Sequence, residues 1–124
     1  MSPGRLLVVA IAMLGAGPPA SGAEQAIAAP DAIAGRIQAC LHGRYADQHA
    51  LALVDRVLGI EQRIGAYRAA RTQVELIERL NADLRVATGD RRVRVTAASA
   101  SSGAGIESCD LGAALQLEIP PTPL

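Results

Sequence analysis

From Leu53 to Leu84, apolar side chains return every three or four residues: Leu53, Val57, Ile60, Ile64, Tyr67, Ala70, Val74, Ile77, Leu80 and Leu84. This is the period of an α-helix with one apolar side, whereas a strand alternates residue by residue. Arg56, Arg63, Arg68, Arg71, Glu75, Glu78, Arg79 and Arg85 fill the gaps and supply a solvated face. Unbroken from about Gln48 to about Ala87, such a helix is roughly 60 Å long at about 1.5 Å per residue, too long for a chain of 124 residues to enclose. Either Leu58-Gly59 folds it into two helices, or it stays continuous and buries its stripe against a partner. Gly59 and Gly65 each cost about 1 kcal/mol relative to alanine inside a helix, which favours a break near Gly59.

The flanking segments are shorter. Asp31 is the expected N-cap of a first helix in which Ile33, Ile37, Cys40 and Leu41 share a face and Gly43 offers a stop. Asp47 marks the next start, and Gly89 stands where a left-handed C-cap ends the long pattern. Beyond it the period becomes two. Val93, Val95 and Ala97 alternate with Arg92, Arg94 and Thr96, and Leu115, Leu117 and Ile119 alternate with Gln116 and Glu118 before Pro120-Pro121. Paired antiparallel, these runs face Arg92 and Arg94 toward Gln116 and Glu118. Between them, 98–105 is a connector of Ala, Ser and Gly. The expected fold is mainly α. It has two or three helices, including one long amphipathic helix, and a short C-terminal β-hairpin or extended segment. A single small domain spans 31–119, between a flexible leader at 24–30 and a Pro-rich tail at 120–124.

The first 23 residues read as a secretory signal peptide. Arg5 precedes an apolar run from Leu6 to Leu14, a Gly/Pro breaker follows, and Ser21-Gly22-Ala23 suits cleavage before Glu24. The alternative is an uncleaved anchor over 6–23, the one arrangement in which this chain meets a membrane. Cleavage leaves about 101 residues, placed in the periplasm or secreted, with a net charge of about −1, which disfavours nucleic acid as a partner. In an oxidising compartment the pair Cys40 and Cys109 is most simply one disulfide, and closing about 70 residues it contributes about 4 kcal/mol. That contribution matters for a thin core. Alanine dominates the apolar residues, and Tyr45 and Tyr67 are the only aromatics.

Chemistry finds little support in the side chains. Lysine is absent, which excludes a Schiff base and the P-loop lysine. Cys40, His42, Asp47 and His49 are ligand types within ten residues, yet their spacing fits no metal signature, so no metal and no cofactor is expected. Ser99, Ser101 and Ser102 lack a Gly-x-Ser-x-Gly setting, and no catalytic residue is assigned. Arg91, Arg92 and Arg94 form the one local charge cluster; they either bind an anion bidentately or form the solvated face of a strand. The expected function is non-enzymatic. It is protein–protein contact in the bacterial cell envelope, with a protein partner or a second copy, through Leu53, Val57, Ile60, Ile64, Tyr67, Val74, Ile77, Leu80 and Leu84.

Two families share parts of this pattern. From Tyr67 to Glu107, a polar helix leading into Leu84-Arg85-Val86-Ala87-Thr88-Gly89-Asp90-Arg91-Arg92-Val93-Arg94-Val95, then a small-residue linker and Gly105-Ile106-Glu107, resembles the ectodomain of inner-membrane spanins, the Rz-type phage lysis proteins. That resemblance implies a coiled-coil ectodomain meeting an outer-membrane lipoprotein at lysis. From Leu53 to Leu80, Leu53-Val54-Asp55, Ile64-Gly65-Ala66-Tyr67-Arg68 and Glu75-Leu76-Ile77-Glu78-Arg79-Leu80 are similar to the first helix of exported chorismate mutases. It implies a small secreted enzyme, but here strand and serine linker follow where that family places further helices.

Overall fold

The computed structural model describes residues 29–98 and 107–121. Pro30 opens α1 (Pro30–Arg44) from the first helical position, where its fixed φ and missing N–H suit a helix start. The cap is Ala29, at φ 60°, with no side-chain hydrogen bond. Asp31, the expected cap, lies inside the first turn and pairs with Arg68 instead. The helix continues through Gly43 and buries Ile33, Ala34, Ile37 and Leu41. Asp47 does cap α2 (Gln48–Arg63), its carboxylate accepting from the Ala50 N–H at 3.1 Å.

The long helix expected from the periodicity is two helices, α2 and α3 (Gln73–Thr88), and the break falls at Gly65. Gly59 stays inside α2. The reason is the hydrogen bonding after Arg63: Ala66 N–H donates to the Glu61 carbonyl at 2.9 Å and Gly65 N–H to that of Gln62 at 3.1 Å. This double closure needs a left-handed residue at its turn, and Gly65 supplies φ 77° without a Cβ penalty. Thr72 then starts α3 by accepting the Glu75 N–H at 3.1 Å, while the Glu75 carboxylate reaches back to the Arg71 N–H at 3.0 Å. Gly89 ends α3 as expected, at φ 71°, donating to the Arg85 carbonyl at 2.8 Å.

The C-terminal region is a sheet of three antiparallel strands, β1 (Arg94–Ala97), β2 (Glu107–Gly112) and β3 (Leu115–Ile119), in the order β1-β3-β2. The expected alternating runs do pair, with Arg94 opposite Glu118 and Thr96 opposite Gln116. The expected two-stranded hairpin nevertheless omits β2. Strand β2 joins β3 through Ala113-Ala114, both left-handed at φ 55° and 62° after Gly112 at φ 83°. A two-residue hairpin turn needs that conformation at both central positions, and it costs an L-residue about 1–2 kcal/mol each. Register slips between Asp110 and Gly112, which gives Leu111 an extra place in the strand, and it is fully buried.

One core joins the two layers. Val95, Leu111, Leu115, Leu117 and Ile119 from the sheet meet Ile33, Ile37, Leu41, Leu51, Val54, Leu58, Leu76, Leu80 and Leu84 from the helices. α1 lies against β2 and β3, and α3 against β1. Cys40 and Cys109 are joined as expected, tying α1 to β2 at a Cα separation of 6.4 Å. Among the described residues no helix is long and apolar enough to cross a membrane. The expected export segment, the serines Ser99, Ser101 and Ser102, and residues 122–124 of the tail lie outside them.

Candidate functional site

The corner between α3 and β1 is built from short polar side chains that satisfy the backbone where the chain reverses. Thr88 Oγ1 donates to the Leu84 carbonyl at 2.8 Å and accepts the Asp90 N–H at 3.0 Å. Asp90, only 1% exposed, accepts Arg92 N–H at 2.9 Å and Nε at 3.0 Å on Oδ1, and Nη2 at 2.9 Å on Oδ2. Arg92 is thus folded onto its own turn as a fork on a carboxylate. Its side-chain hydrogen bonds hold the Asp90 carboxyl below its ordinary value, against the opposing effect of burial, and the Arg92 N–H adds to the lowering. A carboxyl lowered on folding stabilises the protein above its unfolded value, about 3.9, and loses that contribution as pH falls through the folded value. Asp90→Asn is therefore expected to lose about 1–3 kcal/mol at neutral pH and to show a flatter stability profile below about pH 4 than the parent. Urea unfolding at pH 3 and pH 7 measures both.

Asn81 fixes α3 against the sheet. Its Oδ1 accepts the Val95 N–H at 2.7 Å and its Nδ2 donates to the Val95 carbonyl at 3.0 Å, so one side chain does for β1 what a neighbouring strand would. Arg85, one turn further along α3, is thereby set beside Arg91 and Arg94. The three arginines, with Asn81 and Val93, line a cleft of about 260 Å³. Arg94 Nε donates to Glu118 Oε1 at 3.1 Å, and that carboxylate is buried in the middle strand. Of the three arginines singled out in the sequence, the fold brings Arg91 and Arg94 together and turns Arg92 onto Asp90. The newcomer is Arg85. In the sequence it is one solvated arginine among many, and only the Asn81 contact reveals its place.

The helical stripe divides in the same way. Tyr67, Leu80 and Leu84 are fully buried in the core, and Leu53, Val57 and Ile77 are partly buried against it, whereas Ile60, Ile64 and Val74 are 41%, 69% and 65% exposed. The face α2 turns inward is Ala50, Leu51, Val54 and Leu58, about a quarter of a turn from the stripe read in the sequence. α2 therefore has more apolar surface than its own core covers. The excess gathers where α2 passes into α3. Exposed Arg63 and Arg71 flank it, and neither makes a side-chain ion pair with a described residue.

The remaining candidates are occupied elsewhere. Cys40 is in the disulfide, and His42 Nε2 lies 2.8 Å from Asp55 Oδ2 on the helix surface. No cluster of metal-ligating side chains is found among the described residues. A more open groove of about 500 Å³ lies over the Ala113-Ala114 turn, lined by Ser108, Asp110 and Gln116 among others; Asp110 Oδ1 there accepts the Gly112 N–H at 2.8 Å. Comparison with family models, with curated proteins and with solved structures finds no match to this chain.

Proposed function

We propose that this is an exported, non-enzymatic protein of the bacterial cell envelope that works by protein contact, through the apolar end of the α2–α3 pair. The observation that carries the reading is the exposure of Ile60, Ile64 and Val74, toward the end of α2 and the start of α3, while the remaining large apolar side chains of the two helices, Val86 excepted, are buried or partly buried. Large exposed apolar side chains grouped together mark contact surfaces more often than chance placement does. Arg63 and Arg71 at the margin suit a partner whose own apolar patch carries acidic residues at its rim. A symmetric contact between two copies would bring like arginines together, so the occupant is a different protein. The reading requires neither cofactor nor metal, and in it the working protein begins at Glu24.

Site-specific photocrosslinking on the exported full-length protein tests this. A photoreactive residue at position 64 or 74 is expected to give one discrete adduct with a second protein, and the same residue at exposed Ala52 none. Ile60→Glu combined with Val74→Glu should remove the adduct from position 64 while the fold persists. An adduct of twice the protein's own mass would identify a second copy and overturn the heterologous reading. Equal, diffuse labelling at positions 52, 64 and 74 would overturn the contact surface altogether.

A further inference from the structure

We propose that Arg85, Arg91 and Arg94 form a binding site for a phosphate group carrying two negative charges. Arg85 sits on α3 with Asn81 and Ala82 one turn before it and Thr88 and Gly89 one turn after, so no acid stands at the spacings where a helical ion pair forms. Arg91 lies between Asp90 and Arg92, and these two satisfy each other. No ion pair of Arg85 or Arg91 is found among the described residues. Arg94 spends Nε on Glu118 Oε1, and its two terminal nitrogens make no hydrogen bond with a described residue.

Among the described residues, three positive charges set against the one carboxylate of Glu118 leave an excess of two around the cleft. Like charges are not gathered without cost, and what gathers them here is the fold itself, through the paired Asn81–Val95 bonds and the Thr88–Asp90 corner. A phosphate monoester carries about −1.5 to −2 at neutral pH, which matches that excess, and its tetrahedral oxygens accept from guanidinium groups arriving from α3, the turn and β1. A carboxylate offers one charge and two coplanar oxygens. Asn81 is committed to the backbone and no acid among the described residues lines the cleft, so these residues supply donors without a competing acceptor. The cleft is separate from the apolar end of the helix pair: Val74 and Arg85 are about 16 Å apart along α3 at the helical rise.

The test uses the disulfide-intact protein and inorganic phosphate, followed by amide and arginine side-chain NMR shifts at constant ionic strength. Saturable one-to-one shifts centred on Arg85, Arg91, Val93 and Arg94 are expected. Arg85→Gln and Arg91→Gln should each weaken binding by about tenfold or more, and Arg56→Gln, with the same change in net charge on the far helix, should leave it unchanged. Vesicles containing phosphatidic acid form the second arm. Vesicle capture that free phosphate displaces assigns the group to a lipid headgroup, and phosphate binding without vesicle capture assigns it to a soluble phosphate compound; both uphold the site. Shifts that rise linearly without saturating, equal weakening by Arg56→Gln, or vesicle binding indifferent to Arg85→Gln and Arg91→Gln overturn it.

Discussion

Replacing Cys40 and Cys109 together by serine is expected to lower stability by about 4 kcal/mol. The bridge spans 69 positions in the chain, and in the chain-entropy account a loop of that length restricts the unfolded ensemble heavily. Its place in the fold adds to the effect. β2 is an edge strand whose other polar ties to α1 among the described residues are Arg36 Nη1 to the Leu111 carbonyl at 2.8 Å and the exposed Arg44–Glu107 pair at 3.0 Å. An exposed pair of this kind contributes about 0–1 kcal/mol, so the covalent tie, together with the burial of Leu111 in the shared core, holds β2 to α1. Domains of this size have about 5–15 kcal/mol in total, and a loss of 4 brings the lower part of that range close to unfolding at 37 °C. Urea unfolding of the double variant beside the parent measures the difference. A change below about 1 kcal/mol would mean that α1 and β2 hold together without the bridge.

What the sequence shows and what it hides divide along one physical line. Signals that act within a few residues are legible: Asp47 as a cap, Gly89 as a left-handed end, and the two-residue alternation of β1 and β3 all appear where the local pattern places them. The start of α3 is equally local, because Thr72 and Glu75 form a capping pair three residues apart. Gly59 and Gly65 have the same intrinsic helix cost, and the choice between them depends on which can close hydrogen bonds onto Glu61 and Gln62. β2 is hidden for a different reason. Glu107, Ser108, Cys109 and Asp110 have weak strand preference, and Ala113-Ala114 carries none of the Asn or Gly that advertises a tight hairpin turn. The disulfide and the pairing with β3 override both.

The candidate surfaces follow the same division. Periodicity gives the angular spacing of apolar residues on α2 but not which part of a wide apolar arc faces inward, since Leu51, Val54 and Leu58 compete with Leu53, Val57 and Ile60 for the core. The fold settles it by packing the first set against α1 and α3 and leaving the second at the margin. Arg92 is another such case. In sequence it is one of three equal arginines, and only the Asp90 fork, two residues away, removes it from the cationic cleft.

Tyr67 separates the two meanings of an apolar stripe most sharply, because its neighbour in that stripe, Ile64, is three residues away and 69% exposed while Tyr67 is fully buried. The Tyr67 ring closes the connection between α2 and α3, and its hydroxyl donates to Asp83 Oδ2 at 2.7 Å. Burial, reinforced by that carboxylate, pushes the phenol far above its ordinary value. Removing the ring should create a cavity: Tyr67→Ala is expected to cost about 3–5 kcal/mol. Tyr67→Phe keeps the packing and removes only the hydroxyl. Asp83 is partly exposed and can turn to water, so that variant should cost about 1 kcal/mol. Ile64→Ala should stay within about 0.5 kcal/mol of the parent and weaken only the crosslink to a partner. Denaturant unfolding of the three variants gives the comparison. Were Tyr67 a contact residue of the kind the periodicity suggests, its alanine variant would resemble that of Ile64; a loss several times larger assigns it to the core.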